Sequence, residues 1–424
     1  MVLISALHQE NMHFLLIYPS LDILGGIETL MVRMSQWLVG NGHKVTVLTE
    51  TKASWTSLLP KQAQHVALED RFGELHYYYH AKRLWKTLKI SKPDVIKSFD
   101  MGSSWVACQL AAAIGANCKV IAGIYNPLLF KWYYSSKNLP WWDANRFYLR
   151  NYLNHIPVSA RLFCGFDQIE ELEEIHRQKG VLWPIPIDAT QFTPATRRPQ
   201  WGKIVSIGRL APMKEYNLYM LDVVKELRGK GLNVTWSVYG VGDYEAAMRE
   251  KIRANGLEHC IFMQGAVPYA RFREVLEDGY IFVGMGTSIL EAALFRVPNV
   301  NAIAYDREGL TGGPVYNFPP GSIGPGNTPP QLKVVDEIER ILRLSPADYR
   351  VEEERVGQSV DVHEMGNSMK YFLQLVREAE PVTSGHHFYR LNYPFWFLRR
   401  IMKRLAGTRE LEHPPTPFLS SMKA

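Results

Sequence analysis

Cysteine is scarce, with four in 424 residues, at Cys108, Cys118, Cys164 and Cys260, and no two in C-x-x-C spacing. That pattern excludes a disulfide framework and a structural zinc site, and leaves thiols expected to be reduced and mostly buried. Long apolar runs are lacking as well. Lys119 interrupts the region from Val106 to Phe130 and Glu291 interrupts that from Gly279 to Phe295, so no transmembrane helix is expected. The opening MVLISALHQENMHFLLIYPS has no basic stretch ahead of its apolar part, so FLLIY reads as a first strand rather than a secretion signal. A cytoplasmic location is expected. The body of the chain has no dense Lys/Arg run, and zinc-finger spacing and RNA-binding motifs are missing, which removes nucleic acid from the expected partners. No Walker loop and no G-x-S-x-G elbow occurs. His76 and His80 stand four apart in HYYYH, but without a Glu beside the first or a third ligand they read as an aromatic helix face, and no metal site is expected.

What is present is a chain that is 46% hydrophobic, with a formal net charge of +6 that suits anionic partners such as nucleoside diphosphates or acidic lipid headgroups. Its length exceeds one ordinary core and predicts two domains. In the first half HFLLIYP, GGIETLMVRMSQWLVGNG, HKVTVLT, PDVIKSF, SSWVACQLAAAIG and KVIAGIY alternate strand and helix patterns. The second half repeats the alternation with GKIVSIGRL, NLYMLDVVKELRGKG, NVTWSVYGVG, YEAAMREKIRANG, CIFMQG, YARFREVLEDG, YIFVGMG and ILEAALF. Strands joined by helical crossovers make parallel β-α-β units, so the fold class is α/β: two Rossmann-like doubly wound domains facing a cleft. The proline-rich WPIPIDATQFTPATRRPQW lies between the halves. It divides the chain into a first domain at 1–184, a linker at 185–200, a second domain at 201–375 and a crossover helix or aromatic and basic tail at 376–424.

Ligands of such sheets sit beyond the carboxyl ends of the strands. There the sequence places glycine loops. Gly25 and Gly26 open a helix with Glu28 in its first turn, where the helix dipole favours a carboxylate. In IGRLAPMK, Gly208 ends a strand, and Arg209 and Lys214 offer a guanidinium fork and a point charge for phosphate oxygens. YGVGD supplies Gly240 and Gly242. FVGMGTSILEAALFRVP supplies Gly284, Met285, Gly286 and Thr287 ahead of a helix, with Glu291 in its early turns able to accept two hydrogen bonds from a ribose. Each loop alone is also what a tight turn needs, and any one cation is more often a solvated surface charge. Three loops and two cations at one sheet edge point to a diphosphate.

These segments resemble the retaining, nucleotide-sugar-dependent glycosyltransferases of family four, whose fold is GT-B. GGIETLMVRMSQWLVGNGHKVTVLT is similar to the family's first helix and strand, GRLAPMK to its G-R-L-x-x-x-K segment, YGVGD to its G-x-G loop, and GMGTSILEAALFRVP to its E-G-F-G-L-x-x-L-E-A-M-A-x-G-x-P segment. The resemblance implies that Arg209 and Lys214 bind the donor diphosphate, that Glu291 binds the ribose, and that amides from Gly284 to Thr287 touch phosphate and sugar. These three side chains are the expected catalytic set. It implies no cofactor beyond the nucleotide-diphosphate-sugar substrate, and a metal-independent reaction, in keeping with the absence of a D-x-D pair. Two positions depart from the pattern. Val283 stands where the E-x7-E motif has its first Glu, and Arg296 stands for the Gly before proline. On the acceptor side, Asp100 in KSFDMG and Tyr125 and Asn126 in IYNPLL occupy places where many members carry a functional His.

Aromatic residues interleave with basic ones at 126–153 and again at 388–404, as in segments that lie on anionic lipid. The tail is equally read as the crossover helix of a GT-B protein. The resulting expectation is a hexosyltransferase-type enzyme acting on a lipid-linked or polysaccharide acceptor of bacterial surface-glycan synthesis, such as lipopolysaccharide, capsule or exopolysaccharide, at the inner face of the cytoplasmic membrane. A sugar-nucleotide epimerase on the same fold, or a non-catalytic protein binding nucleotide or glycan, are the alternatives.

Overall fold

The computed structural model describes residues 11–19, 21, 25–49, 55–68, 81–115, 117–125, 156–176, 179–188, 197–326 and 332–382. Asn126, the aromatic segment at 126–153, His76, His80 and the tail at 388–404 lie outside them.

The first sheet holds β1 (His13–Ile17), β2 (Lys44–Thr49), β3 (Gln64–Ala67), β4 (Val95–Ser98), β5 (Lys119–Gly123), β6 (Arg161–Phe163) and β7 (Val181–Leu182) in the order β3-β2-β1-β4-β5-β6-β7. The pairings from β3 through β6 are parallel. β1 is apolar from Phe14 to Ile17 and buried along its whole length, as an interior strand covered on both faces requires. A helix at Gly26–Gly40 follows it, and another at Met101–Ile114 follows β4.

The second sheet holds β8 (Lys203–Ile207), β9 (Thr235–Tyr239), β10 (Ile261–Gly265), β11 (Ile281–Gly284) and β12 (Asn299–Asn301), in the order β10-β9-β8-β11-β12 and parallel throughout. Alternation along its strands feeds two cores. Ile204, Ile281 and Val283 pack with the helices at Tyr216–Gly229 and Val334–Leu342, whereas Val205, Ile207 and Phe282 pack with those at Thr287–Leu294 and Pro346–Ser359. The helix pattern in YARFREVLEDG resolves into a short turn at Tyr269–Arg271 and one brief helix at Phe272–Leu276.

Two compact units result. One comprises 1–162, 179–181 and 374–424, and the other 163–178 and 182–373. The sequence set the boundary at 185–200, but the start of that stretch is packed rather than free. Trp183 is buried against Phe372 with ring centroids 5.3 Å apart, and its indole donates to Ser368 O over 3.2 Å. Ile187 N donates to His363 O over 2.7 Å. Proline content conceals such packing, because it reports the missing backbone donors and not what the side chains bury.

Candidate nucleotide-binding site

The order of the second sheet reverses between β8 and β11, and in open α/β sheets a ligand sits beyond the carboxyl ends of the strands at that point. The loops that leave β8, β9 and β11 are the ones singled out in the sequence, and the strand order makes them neighbours.

The first two loops are locked together by backbone. Gly208 N donates to Tyr239 O over 2.9 Å, and Leu210 N donates to Val241 O over 3.0 Å. A side-chain carbon at Gly240 would stand 1.9 Å from Gly208 O, so only glycine allows this approach. Gly242 is equally close, with 2.3 Å to Leu210 O. Out of this platform rise Arg209, which is exposed, and Lys214, which is half-buried. Lys214 Nζ folds back over Gly208, 2.4 Å from where a side-chain carbon would lie. Burial first and the Arg209 guanidinium second lower its ammonium to about 8. A desolvated cation beside another cation is stabilised by an anionic ligand, so the pair has the electrostatics of a candidate anion site rather than of two solvated charges.

The third loop ends the strand at Gly284 and starts the Thr287–Leu294 helix at Gly286, whose φ of +72° is left-handed and whose cap carries no side-chain hydrogen bond. No acidic residue occupies the first turn, so amide donors and the positive end of the dipole are left for an anion. Met285 and Thr287 flank Gly286 in this turn, and Ser288 Oγ donates to Met285 O over 3.3 Å. Glu291 is the fifth residue of the helix and is 3% exposed.

Val283 is the sharpest correction to the family pattern. It is fully buried in β11, paired with Val300, its carbonyl taken by Ser206 Oγ at 2.7 Å. It is a core residue of the strand, so no side chain at 283 reaches a ligand, and the short turn Gly284–Gly286 carries no carboxylate in its place. Arg296 adopts a φ of +57°, the left-handed conformation that the family's glycine takes freely.

The first unit treats its predicted residues differently. Gly25 caps the Gly26–Gly40 helix, and its amide donates to Glu28 Oε2 over 3.0 Å, so that carboxylate is committed to the cap. Asp100 caps the Met101–Ile114 helix, accepting from Ser103 N over 2.6 Å. Tyr125 follows β5, and its hydroxyl accepts from Lys97 Nζ over 2.9 Å. Gly25, Gly26, Asp100 and Tyr125 all belong to the first unit, while Gly208, Arg209, Lys214, Gly240, Gly242, Gly284 and Glu291 belong to the second.

Several residues around these sites were not legible in the sequence. Lys97 is fully buried in β4 and also donates to Ser98 O over 2.8 Å, with its ammonium 4.9 Å from the rings of Phe99 and Tyr125. One lysine in an apolar strand pattern gave no signal. Near the Gly208–Gly240 platform, the buried Glu215 carboxylate pairs with Arg307 at 2.9 Å, and Tyr305 N donates to Met213 O over 3.0 Å, which brings the 303–308 segment against the Arg209–Lys214 loop. The buried Tyr216 hydroxyl has no hydrogen-bond partner among the described residues and lies 3.4 Å from the same notional Gly208 carbon.

Residues 24–191 match the family model described as Glycosyltransferase Family 4. One phosphatidylinositol N-acetylglucosaminyltransferase chain, from Arabidopsis thaliana, is 34% identical over 116 residues, 27% of this chain and 25% of that protein. The putative colanic acid biosynthesis glycosyltransferase WcaL of Escherichia coli K12 is 22% identical over 179 residues, 36% of this chain and 44% of that protein. The chain thus spans a quarter and under half of the lengths of these curated relatives. Among solved structures, a glycosyltransferase from Rickettsia africae is similar with a TM-score of 0.65 at 14% identity, over 87% of this chain and 98% of that one. Anabaena Alr3699/HepE, solved with UDP and glucose, is similar with a TM-score of 0.62 at 13% identity, over 87% and 100%.

Proposed function

We propose that this chain, a member of Glycosyltransferase Family 4 with the GT-B fold, moves a sugar from a nucleoside-diphosphate donor onto a lipid-linked or polysaccharide acceptor with retention of anomeric configuration. The observation that carries the reading is the pairing of Arg209 with the desolvated Lys214 on the Gly208–Gly240 platform, beside an uncapped helix N-terminus. The comparisons add to it: a structural relative was solved with UDP and glucose, and a curated relative is named for colanic acid biosynthesis.

The acceptor hydroxyl bonds to the anomeric carbon as the bond from that carbon to the β-phosphate oxygen breaks, on the same face. The acceptor proton passes to a phosphate oxygen, and the nucleoside diphosphate departs. Arg209 and Lys214 neutralise the charge that grows on the leaving group, which is the role a divalent cation fills in metal-dependent transferases. The amides of Gly286 and Thr287 add donors, and Glu291 receives the ribose hydroxyls. Metal independence follows from this charge set and is part of the proposal. Contact with the membrane face through 126–153 and 388–404 is proposed from the sequence alone.

The test incubates the full chain with single nucleotide sugars and a lipid extract, with and without EDTA, and measures nucleoside diphosphate release. Acceptor-dependent release that survives EDTA, with a product of donor anomeric configuration by NMR, supports the reading. Conversion of donor sugar without acceptor identifies an epimerase. Donor binding with no turnover across a broad acceptor panel identifies a non-catalytic protein.

A further inference from the structure

The second unit carries another concavity, at the opposite end of the same sheet. A groove of about 1100 Å³ is lined by Trp201 just before β8, Tyr280 just before β11, Arg296 before β12, Arg197, and Arg350, Glu353 and Glu354 of the Pro346–Ser359 helix. It lies at the amino ends of strands whose carboxyl ends carry the diphosphate loops. Strands of four and five residues separate the two by about 15 Å.

Three features distinguish it from surface roughness. Arg197 is nearly buried, with a side chain 4% exposed, and its Nη2 donates to Gly279 O over 2.7 Å while its Nη1 donates to Arg296 O and Glu353. Its Nε hydrogen, buried with the rest of the group, has no acceptor among the described residues. Arg296 holds a left-handed backbone that glycine adopts more freely, its side chain packed on Gly357 and its guanidinium paired with Glu354. Strain kept at such a position points to use. Trp201 is half exposed, yet its indole is fixed by a 3.2 Å bond to Leu342 O, and beneath the groove Tyr280 and Tyr349 stack with centroids 4.1 Å apart. The groove is therefore rigid.

A fixed, exposed indole face ringed by guanidinium donors and carboxylate acceptors matches a carbohydrate, which offers an apolar ring face and hydroxyls at its edge. Three arginines against two glutamates leave one positive charge, so a carboxylate-bearing sugar fits better than a neutral one. Arg350, exposed and on the groove wall, has no ion pair among the described residues, and it is the donor open to that carboxylate. We propose that this groove is an accessory binding site for an acidic oligosaccharide, separate from the diphosphate site. It goes beyond the transferase reading and does not depend on turnover.

The test titrates the full chain with tetragalacturonate as the probe, and with maltotetraose as the neutral control, by isothermal calorimetry at low salt. Saturable binding of tetragalacturonate, weakened at least tenfold in both Trp201→Ala and Arg350→Ala while nucleoside diphosphate binding stays within twofold, is the expected result. Arg350 is exposed on a helix, so its variant folds even where the tryptophan variant does not. No saturable binding, or equal binding by wild type and the Arg350→Ala chain, overturns the site. Maltotetraose binding as tightly as tetragalacturonate overturns the acidic assignment. Failure of the transferase reading shows instead as absent turnover with these titrations unchanged.

Discussion

The two sheets share an order, with each unit's first three strands running outward to one edge and the chain crossing to the other side of the first strand at the fourth, yet they handle a lysine at the carboxyl edge in opposite ways. Lys97 in the first sheet is fully buried, held by a backbone carbonyl, a tyrosine hydroxyl and two aromatic faces. Lys214 in the second sheet has left its strand for a loop, where burial and Arg209 push its pKa down. A cation whose donors the protein itself occupies is a structural element. A cation desolvated beside a like charge favours an incoming anion, and the proposed diphosphate role of Lys214 rests on that difference.

The largest expected effect breaks the receptor. Arg209→Ala with Lys214→Ala lowers kcat/KM for donor by about 1000-fold or more, since one lost charge-stabilising donor typically costs 100- to 1000-fold. Steady-state nucleoside diphosphate release checks this. A loss under tenfold separates catalysis from this pair.

Glycines sharpen the comparison next. Gly240→Ala sets a methyl 1.9 Å from a carbonyl oxygen that the backbone fixes, and about 3 kcal/mol of stability is lost. Gly123→Ala in the first sheet meets Tyr125 and Lys97 side chains at 2.5 and 2.7 Å, which can shift, and costs about 1 kcal/mol. Urea unfolding measures both, and equal losses would deny that the second platform is the more tightly built.

Methionine at the two lysines gives the third effect. Lys214→Met weakens nucleotide-sugar binding roughly 30-fold, about 2 kcal/mol for a charge-assisted contact, whereas Lys97→Met leaves it within twofold. Calorimetric titration decides, and a large effect at Lys97 would make it part of the binding machinery.

The smallest effect is a pH dependence. Free Lys214 titrates at about 8, and a bound diphosphate raises that value, so binding takes up a proton above pH 8. Affinity for a nucleotide sugar, whose phosphates carry no proton in this range, is flat below about pH 7 and falls about tenfold per unit above pH 8. The slope disappears in Lys214→Met.

Much of the second unit was legible because strand, glycine loop and helix follow one another locally, so Gly208, Lys214 and Gly240 could be placed at a sheet edge before any contact was known. The four buried cysteines were legible for the same reason, their apolar neighbours being visible in sequence. Long-range packing was not. Asp100 stands out in the sequence as an acceptor-side residue, but its carboxylate completes a helix cap, as does that of Glu28 in the first turn of its own helix. Val283 looks like a lost glutamate in the motif, and only its pairing in β11 makes it core. Lys97 carries no periodic signal, and the groove is assembled from segments spread along the chain from Arg197 to Glu354.

The central claim is that Arg209 and Lys214 receive the diphosphate of a nucleotide sugar. The direct measurement is calorimetric titration of the full chain at pH 7 with a panel of nucleoside diphosphates, against the Arg209→Ala, Lys214→Ala variant. The account predicts saturable one-to-one binding of at least one member of the panel, weakened at least 100-fold in the variant. Binding of equal strength in both chains would contradict it.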